Sequence, residues 1–307
     1  MRRSLGIAIF ALGVLLLLTN VLLKVEDLGK GIGILACILG AIIFGLSFIP
    51  RPELPPDAPP PLPPADRITK VFYEPAPVFA NLRYHPRWLA AFLVLLVFSV
   101  TYQLAFTQRV TPERIAIETS DKVIESGWIP PEKVDEFKAQ QIHDATSVIG
   151  RVRGVFGQAG WTLIFMLILA SLYLLCVMAF GGRINFWQAL TVATYGTLPP
   201  VVISVILNLI VLYTKAAEDI DVFKGARGLA RADLGLLFAP ADHPLLYVIG
   251  SFMGVFTLYG WWVTVAGLRN TATKLSNASA WTIAFLLWLL GLVCVLILAA
   301  IFPQFVR

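Results

Sequence analysis

The sequence predicts an all-α polytopic membrane helix bundle of seven transmembrane helices, with amphipathic interfacial helices between some of them. Three observations predict it. Of the 307 residues, 58% are apolar and 14% charged, where a soluble domain averages about 25% charged. Such a chain cannot cover its own surface with polar groups, so lipid must be its solvent. Seven stretches reach the roughly 20 mostly apolar residues needed to cross about 30 Å of hydrocarbon, and none of the seven has Asp, Glu, Lys, Arg or His in its interior.

In order, the stretches are Leu5 to Leu23, Gly31 to Phe48, Trp88 to Phe106, Gly160 to Gly181, Asn185 to Tyr213, Pro244 to Leu268 and Trp281 to Phe302. The first follows Arg2 and Arg3 but is not followed by a small-x-small cleavage site, so it reads as an uncleaved anchor. It pairs with the second through the short charged turn Lys24, Val25, Glu26 and Asp27. Gly33, Ala36, Gly40, Ala41 and Gly45 put small side chains on one side of the second stretch, which lets a neighbouring helix approach closely.

Residues 50 to 64 contain nine prolines. That composition favours an extended polyproline II strand that cannot hydrogen-bond into a core, and it reads as a linker. The expected division is a transmembrane hairpin at 1–49, a proline-rich linker at 50–73 and a five-span membrane domain at 74–307. Beyond the third stretch, Thr111-Pro112-Glu113 is a helix start, a hydroxyl cap with proline in the first turn. Pro130 and Pro131 begin a second helix, whose apolar positions Val134, Phe137, Ile142, Ala145, Ile149, Val152 and Phe156 make it amphipathic. Leu229, Leu234, Leu236, Leu237 and Phe238 suggest a further short interfacial helix.

Basic residues set the expected orientation. With the N-terminus in the cytoplasm, the inside segments hold Arg2, Arg3, Arg51, Arg67, Lys70, Arg83, Arg87, Arg183, Arg269 and Lys274. The outside segments 107–159 and 214–243 hold more bases but more acids still, 13 of them. The sequon at Asn277 then faces the cytoplasm and stays unused. The net charge of +5 is scattered along the chain and forms no nucleic-acid footprint.

No chemistry is legible. Ionisable groups within membrane spans mark ion, proton and voltage work, and these spans lack them. Cys37, Cys176 and Cys294 lie in apolar runs without a CxxC motif. His85, His143 and His243 fall in three separate segments, so no metal site is expected. GxSxG, HExxH, Walker and GxGxxG motifs are absent, no cofactor is implied, and no enzyme is expected. Gly150, Gly154, Gly157 and Gly160 precede a span and read as close helix packing.

The most distinctive stretch runs from Gly181 to Pro200. Gly181 and Gly182 permit a tight reversal between the fourth and fifth spans. Asn185 and Phe186 follow at the start of the fifth, and Tyr195, Pro199, Pro200 and Asn208 lie within it. Proline removes a helical hydrogen bond and clashes one turn back, so Pro199 and Pro200 should kink that span. The freed carbonyls near residues 195 and 196 need partners, which Thr194, Thr197, Ser204 and Asn208 can supply. Two readings stand: a kink whose backbone groups are satisfied by neighbours, or a polar pocket for a lipid, small molecule or partner helix. A water-filled cavity reaching Tyr195, Thr197 and Asn208 favours transport, and a dry bundle favours a scaffold.

At these residues the sequence resembles the Yip1 domain family of five-span integral membrane proteins. The matching elements are Pro75 to Pro86 with Phe79 and Leu82, Gly181-Gly182-x-x-Asn185-Phe186, Tyr195-x-x-x-Pro199, and Phe256 to Leu268 followed by Lys274. The similarity spans roughly residues 74 to 303. Gly254 stands where family members often carry an acidic residue, so no role of that carboxylate transfers. The resemblance implies a non-enzymatic membrane protein, read here as a scaffold or assembly factor; the extra hairpin and long loop point to a bacterial-type member in the bacterial cytoplasmic (inner) membrane. Its expected partners are membrane lipids and proteins or second copies met through transmembrane helices, with no nucleic acid. The alternative is a facilitator or channel for a small or lipid-like solute, using the kinked span.

Overall fold

The computed structural model describes residues 2–23, 26–50, 53–240 and 242–302; Lys24, Val25 and Arg51 lie outside them. The described residues are helical throughout, joined by turns and two isolated bridges. The helices are α1 (Arg2–Leu23), α2 (Glu26–Leu46), α3 (Pro64–Lys70), α4 (Pro75–Tyr84), α5 (Leu89–Val110), α6 (Pro112–Glu125), α7 (Val134–Thr146), α8 (Val148–Ala179), α9 (Phe186–Thr214), α10 (Val222–Arg227), α11 (Pro244–Ser251), α12 (Val255–Thr271) and α13 (Asn277–Ile301). Four of them, α5, α8, α9 and α13, are long and apolar enough to cross a membrane. The seven expected spans are thus matched in part. In α1 and α2 the apolar stretches within the described residues are Gly6–Thr19 and Gly31–Leu46.

The sixth expected span, Pro244 to Leu268, is not one helix. It breaks at Phe252–Gly254 into α11 and α12. There the backbone turns outward to pair with the preceding loop: Val255 N–H donates to Ala232 O (3.0 Å), and Leu234 N–H donates to Met253 O (3.1 Å). Hydropathy could not reveal the break, because Phe252, Met253, Gly254, Val255 and Phe256 carry no polar side chain.

Helix α9 is the axis of the bundle. It packs against α12, α5, α8 and α4, and fifteen of its residues are buried, spread around its whole circumference. A helix apolar on all sides can be surrounded on all sides, as α9 is from Trp187 to Pro199; further on, Ile206, Leu207, Ile210 and Tyr213 are exposed. The main core gathers Val78, Phe79 and Leu82 of α4, Leu95 of α5, Tyr173 of α8, Leu190 and Tyr195 of α9, and Val263 and Leu268 of α12.

Helices α1 and α2 form a hairpin in which backbone meets backbone. A Cβ placed on Gly40 would strike the Phe10 backbone, and one on Gly13 would lie 2.6 Å from Cys37 N. Of the small residues expected at this contact, Gly33 and Gly40 are buried in it, while Ala41 and Gly45 are exposed. The hairpin leans on α8, where Leu35 fills the space over Gly160. Gly154 and Gly157 have no such close neighbour, so tight packing explains only part of that glycine series.

Helix α6 starts at Thr111, whose hydroxyl accepts from Arg114 N–H, as the sequence predicted. The amphipathic helix expected to continue from Val134 to Phe156 instead stops at Ser147. The Ser147 hydroxyl accepts from Gly150 N–H (3.0 Å) and caps α8. Helix α8 therefore begins twelve residues before Gly160 and has 32 residues, about 48 Å at 1.5 Å per residue. The expected interfacial helix near residue 234 is a single 3₁₀ turn, Leu234–Leu237, with its leucines exposed.

The proline-rich segment is held more closely than a free linker. Asn81 of α4 accepts from Leu62 N–H (3.1 Å) and donates to Pro60 O (2.8 Å). The His85 ring lies 2.8 Å from Pro59 O. The strand was expected not to hydrogen-bond into the core, yet it meets α4 in this way: proline carbonyls remain acceptors, and a polyproline strand points them outward. Helices α3 and α4 then run beside the bundle, where Gln188 donates to Arg83 O (2.7 Å) and Tyr259 to Phe72 O (2.7 Å).

Candidate functional site

The Gly181–Pro200 stretch builds a junction at one end of the bundle. Gly181 adopts φ +76°, a left-handed turn that suits glycine. Arg183 pairs with Thr273 of the α12–α13 turn in both directions at 2.9 Å. Asn185 caps α9: its side-chain oxygen accepts from Trp187 N–H (2.8 Å), and Gln188 accepts from the Asn185 N–H (2.8 Å). The same Asn185 donates to Pro50 O (3.2 Å), and Trp187 Nε1 donates to Ile49 O (3.2 Å). Residues 185–188 thus tie the α1–α2 hairpin and α4 to α9. Phe186 stacks edge-on against Trp187. Asn185→Ala is expected to remove a cap worth about 1 kcal/mol and to loosen the hairpin, readable as faster hydrogen exchange at Trp187 N–H.

Tyr195 sits one layer deeper, fully buried, edge-on to Phe79 at 6.5 Å, with its hydroxyl 3.4 Å from Arg87 O. Gly267 of α12 packs its backbone against the Phe79 ring. Beside Tyr195 lies a side chain that the sequence analysis counted among the bases of the inside segments: Arg67 is 2% exposed, and its Nε and Nη1 have no hydrogen-bond partner among the described residues. A buried unpaired charge is destabilising. Arg67→Met is expected to raise the thermal midpoint of the purified protein, by about 1–3 kcal/mol in stability; a lowered midpoint would show that the guanidinium has a partner.

Pro199 is buried and Pro200 partly so, and α9 passes through both as one continuous helix. The neighbouring hydroxyls do not serve the carbonyls of 195 and 196, as had been expected. Thr194 donates to Leu190 O (3.0 Å), and Asn208 is engaged elsewhere. Its amide donates to Ser204 Oγ (3.1 Å), and its oxygen accepts the Ala230 N–H (2.7 Å). Asn208 is a clasp for the 228–233 loop. Pro199→Ala, which restores an N–H at a buried position, is expected to perturb folding more than Arg183→Ala at an exposed one; equal thermal midpoints would count against a structural role for the proline.

Above this clasp opens a cavity of about 970 Å³, adjoined by a smaller one of about 380 Å³. Ser204, Gly228, Phe256 and Thr257 line both. The smaller reaches Pro200, Val201 and Asn208, while Tyr195 and Thr197 line neither. The larger is walled by α6, the 228–233 loop, α11 and the ends of α12 and α13. On its wall Arg231 forms a bidentate pair with Asp233 (2.5 and 3.1 Å) and donates to Tyr247 Oη (2.8 Å) and Ser251 Oγ (2.9 Å). Burial works against the guanidinium charge, but the hydrogen bond and charge of Asp233, with Tyr247, hold its pKa above the ordinary arginine value. This cluster had no signature in the sequence beyond scattered polar letters.

The elements that carried the family resemblance converge in space. Phe79 and Leu82 of α4, the Gly181-Gly182 turn and the α12 segment through Gly267 gather at the half of α9 that carries Phe186, Tyr195 and Pro199. A protein-family model, that of the Yip1 domain, matches residues 69–298. The chain belongs to the Yip1 domain family. The match covers α4 through nearly all of α13 and leaves the α1–α2 hairpin and the proline strap outside the Yip1 region. Neither a characterised protein nor a solved structure shows significant similarity to the chain. It is an integral membrane protein of the Yip1 domain type, all-helical, with apolar helices that meet lipid.

Proposed function

We propose that this Yip1-domain protein is a non-enzymatic membrane scaffold or assembly factor. The observation that carries the reading is the closure of the bundle below its cavity. Tyr195, Leu198 and Pro199 are buried against α4, α5, α8 and α12, and neither cavity is lined by Tyr195 or Thr197, so α9 is packed where it runs inward from Pro200. A bundle of this kind offers shape and weak polarity, the tools by which helices recognise one another in lipid. Its partners would be lipids and other membrane helices, met along faces such as that of α13, where Phe285, Leu289, Val293 and Ile297 are exposed.

The reading includes seven crossings, with α1, α2 and the α11–α12 pair joining the four long helices, and an N-terminus in the cytoplasm of a bacterial inner membrane. The distribution of charge supports that orientation. At the cavity end, bases are matched by acids, as in Arg114–Glu118, Lys138–Asp121, Arg153–Asp144 and Arg231–Asp233. On the opposite side Lys70 pairs with Asp66, while Arg83, Arg87, Arg183, Arg269 and Lys274 form no ion pair among the described residues, which leaves the excess of bases that marks a cytoplasmic side. A reporter fused after Arg307 is expected to signal from outside the cytoplasm; a cytoplasmic signal would overturn seven crossings with an inside start.

The facilitator reading draws on the same cavity, which does reach Asn208 and Pro200. Cross-linking of the full chain in its native membrane, followed by mass spectrometry, separates the two. Discrete protein cross-links with no solute flux in proteoliposomes support the scaffold. Recovery of lipid alone, with flux that Tyr195→Ala increases, would reverse the preference.

A further inference from the structure

We infer that segment 216–238 dips into the bilayer as a re-entrant loop, with Leu234, Leu236 and Leu237 in the hydrocarbon and the Arg231–Asp233 pair on the wall of an aqueous vestibule formed by the larger cavity. Two spans fix the level at which charge begins at that end of the bundle. Arg109 is the first ionisable residue of α5 and Lys215 the first after α9 begins, and Arg109 donates to Lys215 O (3.0 Å), so both helices stop at one level. Tyr102 lies seven residues before Arg109 and Asn208 seven before Lys215, about 10 Å inward at 1.5 Å per residue. Both hold the segment: Tyr102 Oη donates to Gly225 O (2.6 Å), and Asn208 accepts the Ala230 N–H (2.7 Å).

The route to these points also runs inward. After Lys215 the chain reverses, and Ile220 and Val222 are buried against Phe106, Val110 and Leu212. Arg114 at the start of α6 secures the reversal by donating to Ala217 O (2.8 Å) and Ile220 O (2.9 Å). Beyond Ala230, the backbone of Ala232 and Leu234 bonds to Val255 and Met253, and Gly250 of α11 packs on the backbone of Leu234 and Gly235. That pairing lies within the sixth apolar run, not at its edge: α12 extends 17 residues to one side of it, about 26 Å, and α11 eight residues to the other.

The segment presents two faces. Leu234, Leu236 and Leu237 are 51, 63 and 75% exposed, and α11, on which their turn packs, exposes Leu245 and Leu246. Exposed apolar surface of this kind marks a contact with a protein or a membrane. Inside the level of Arg109 and Lys215 the partner that meets it is lipid hydrocarbon, as along the exposed face of α13. On the other face Gly228, Ala230, Arg231, Ala232 and Asp233 line the larger cavity. Ionisable groups at membrane depth persist when they pair with one another and face a water-filled cavity, and irregular backbone persists when it is buried in protein or lines one. The segment meets both conditions. Arg231 is paired with Asp233 on the cavity wall, and the backbone is bonded at Gly225, Ala230, Ala232 and Leu234. The loop needs only that the bundle sits in lipid, whether or not it also gathers protein partners.

The test uses the full chain in lipid nanodiscs, where both faces meet solvent, with Cys37, Cys176 and Cys294 replaced by alanine and a single cysteine added. The probe is a small membrane-impermeant thiol reagent. Ala232→Cys in the vestibule is expected to react about as fast as Glu136→Cys on the exposed side of α7, whereas Leu237→Cys is expected to lose reactivity to the level of Leu290→Cys on the exposed face of α13. Modification of Leu237→Cys as fast as Glu136→Cys would place the turn in water and overturn the loop. Ala232→Cys as inert as Leu290→Cys would overturn the vestibule. A second measurement needs no substitution: a phospholipid with a photoactivated carbene precursor on its acyl chain is expected to label Leu234–Leu237 of the native chain as it labels α13. Label on α13 with none on that turn, whether water or a second copy covers the leucines, would overturn the hydrocarbon contact.

Discussion

Replacing Gly40 by leucine is expected to separate α1 from α2. The first carbon of any side chain at this position lands on the Phe10 backbone, and the Cβ of Phe10 itself lies 2.8 Å from it. Backbone cannot swing aside as a side-chain tip can, so the helices must part along the contact that also holds Gly13 against Cys37. Overpacking a helix interface costs about 1–3 kcal/mol where side chains yield, and the cost at Gly40 should lie at or above the top of that range. Spin labels on Leu12 and Ile38, both exposed, would read it. A single narrow distance distribution is expected in the parent and a broad one in Gly40→Leu. Ala41→Leu, on the exposed side of α2, should change nothing; if it broadened the distribution equally, the interface would be misassigned.

The second large effect is expected at Asn208. Asn208→Leu removes the acceptor of the Ala230 N–H and the donor to Ser204. The Ser204 bond is a within-helix contact worth roughly 0.6 kcal/mol in a bilayer. The amide is different: left without a partner at a partly buried site, it costs about 1–3 kcal/mol. The 228–233 loop should then lift, taking with it Arg231 and the cavity wall. Hydrogen exchange measures this directly. Ala230 N–H should be protected in the parent and in Asn208→Asp, which keeps the oxygen, and should exchange fast in Asn208→Leu. Equal protection in all three would mean that the loop is held by something other than Asn208.

Particular residues show how much was legible beforehand. Thr111 as a cap and the Gly181-Gly182 reversal could be read because each depends on a few adjacent residues. Asn185 was singled out by its motif, but its capping box and its bonds to the hairpin required the positions of Gln188 and Pro50. Gly33 and Gly40 were found by spacing, whereas Ala41 and Gly45 were grouped with them because a list of small residues does not say where the partner helix lies. Asn208 was assigned to the freed carbonyls below it, yet its oxygen serves Ala230, 22 residues further along the chain. The burial of Arg67 and the bonds of Asn81 and His85 to the proline segment went unread because nothing local distinguishes a strap from a spacer.

The sequence alone determined that this chain lives in lipid, which segments are helical, where several helices begin, and that it belongs among Yip1-domain proteins. All but the last follow from local composition and periodicity, which a bilayer enforces by forbidding unpaired backbone; the family follows from the match of residues 69–298 to the Yip1 domain model. Only the tertiary structure decided that the sixth apolar run breaks at Phe252–Gly254, that Arg67 is buried beside Tyr195, and that polar residues far apart in the chain line one large cavity. These depend on contacts between residues far apart in the chain, where a hydrogen bond or a steric limit is set by a partner that no neighbouring residue announces.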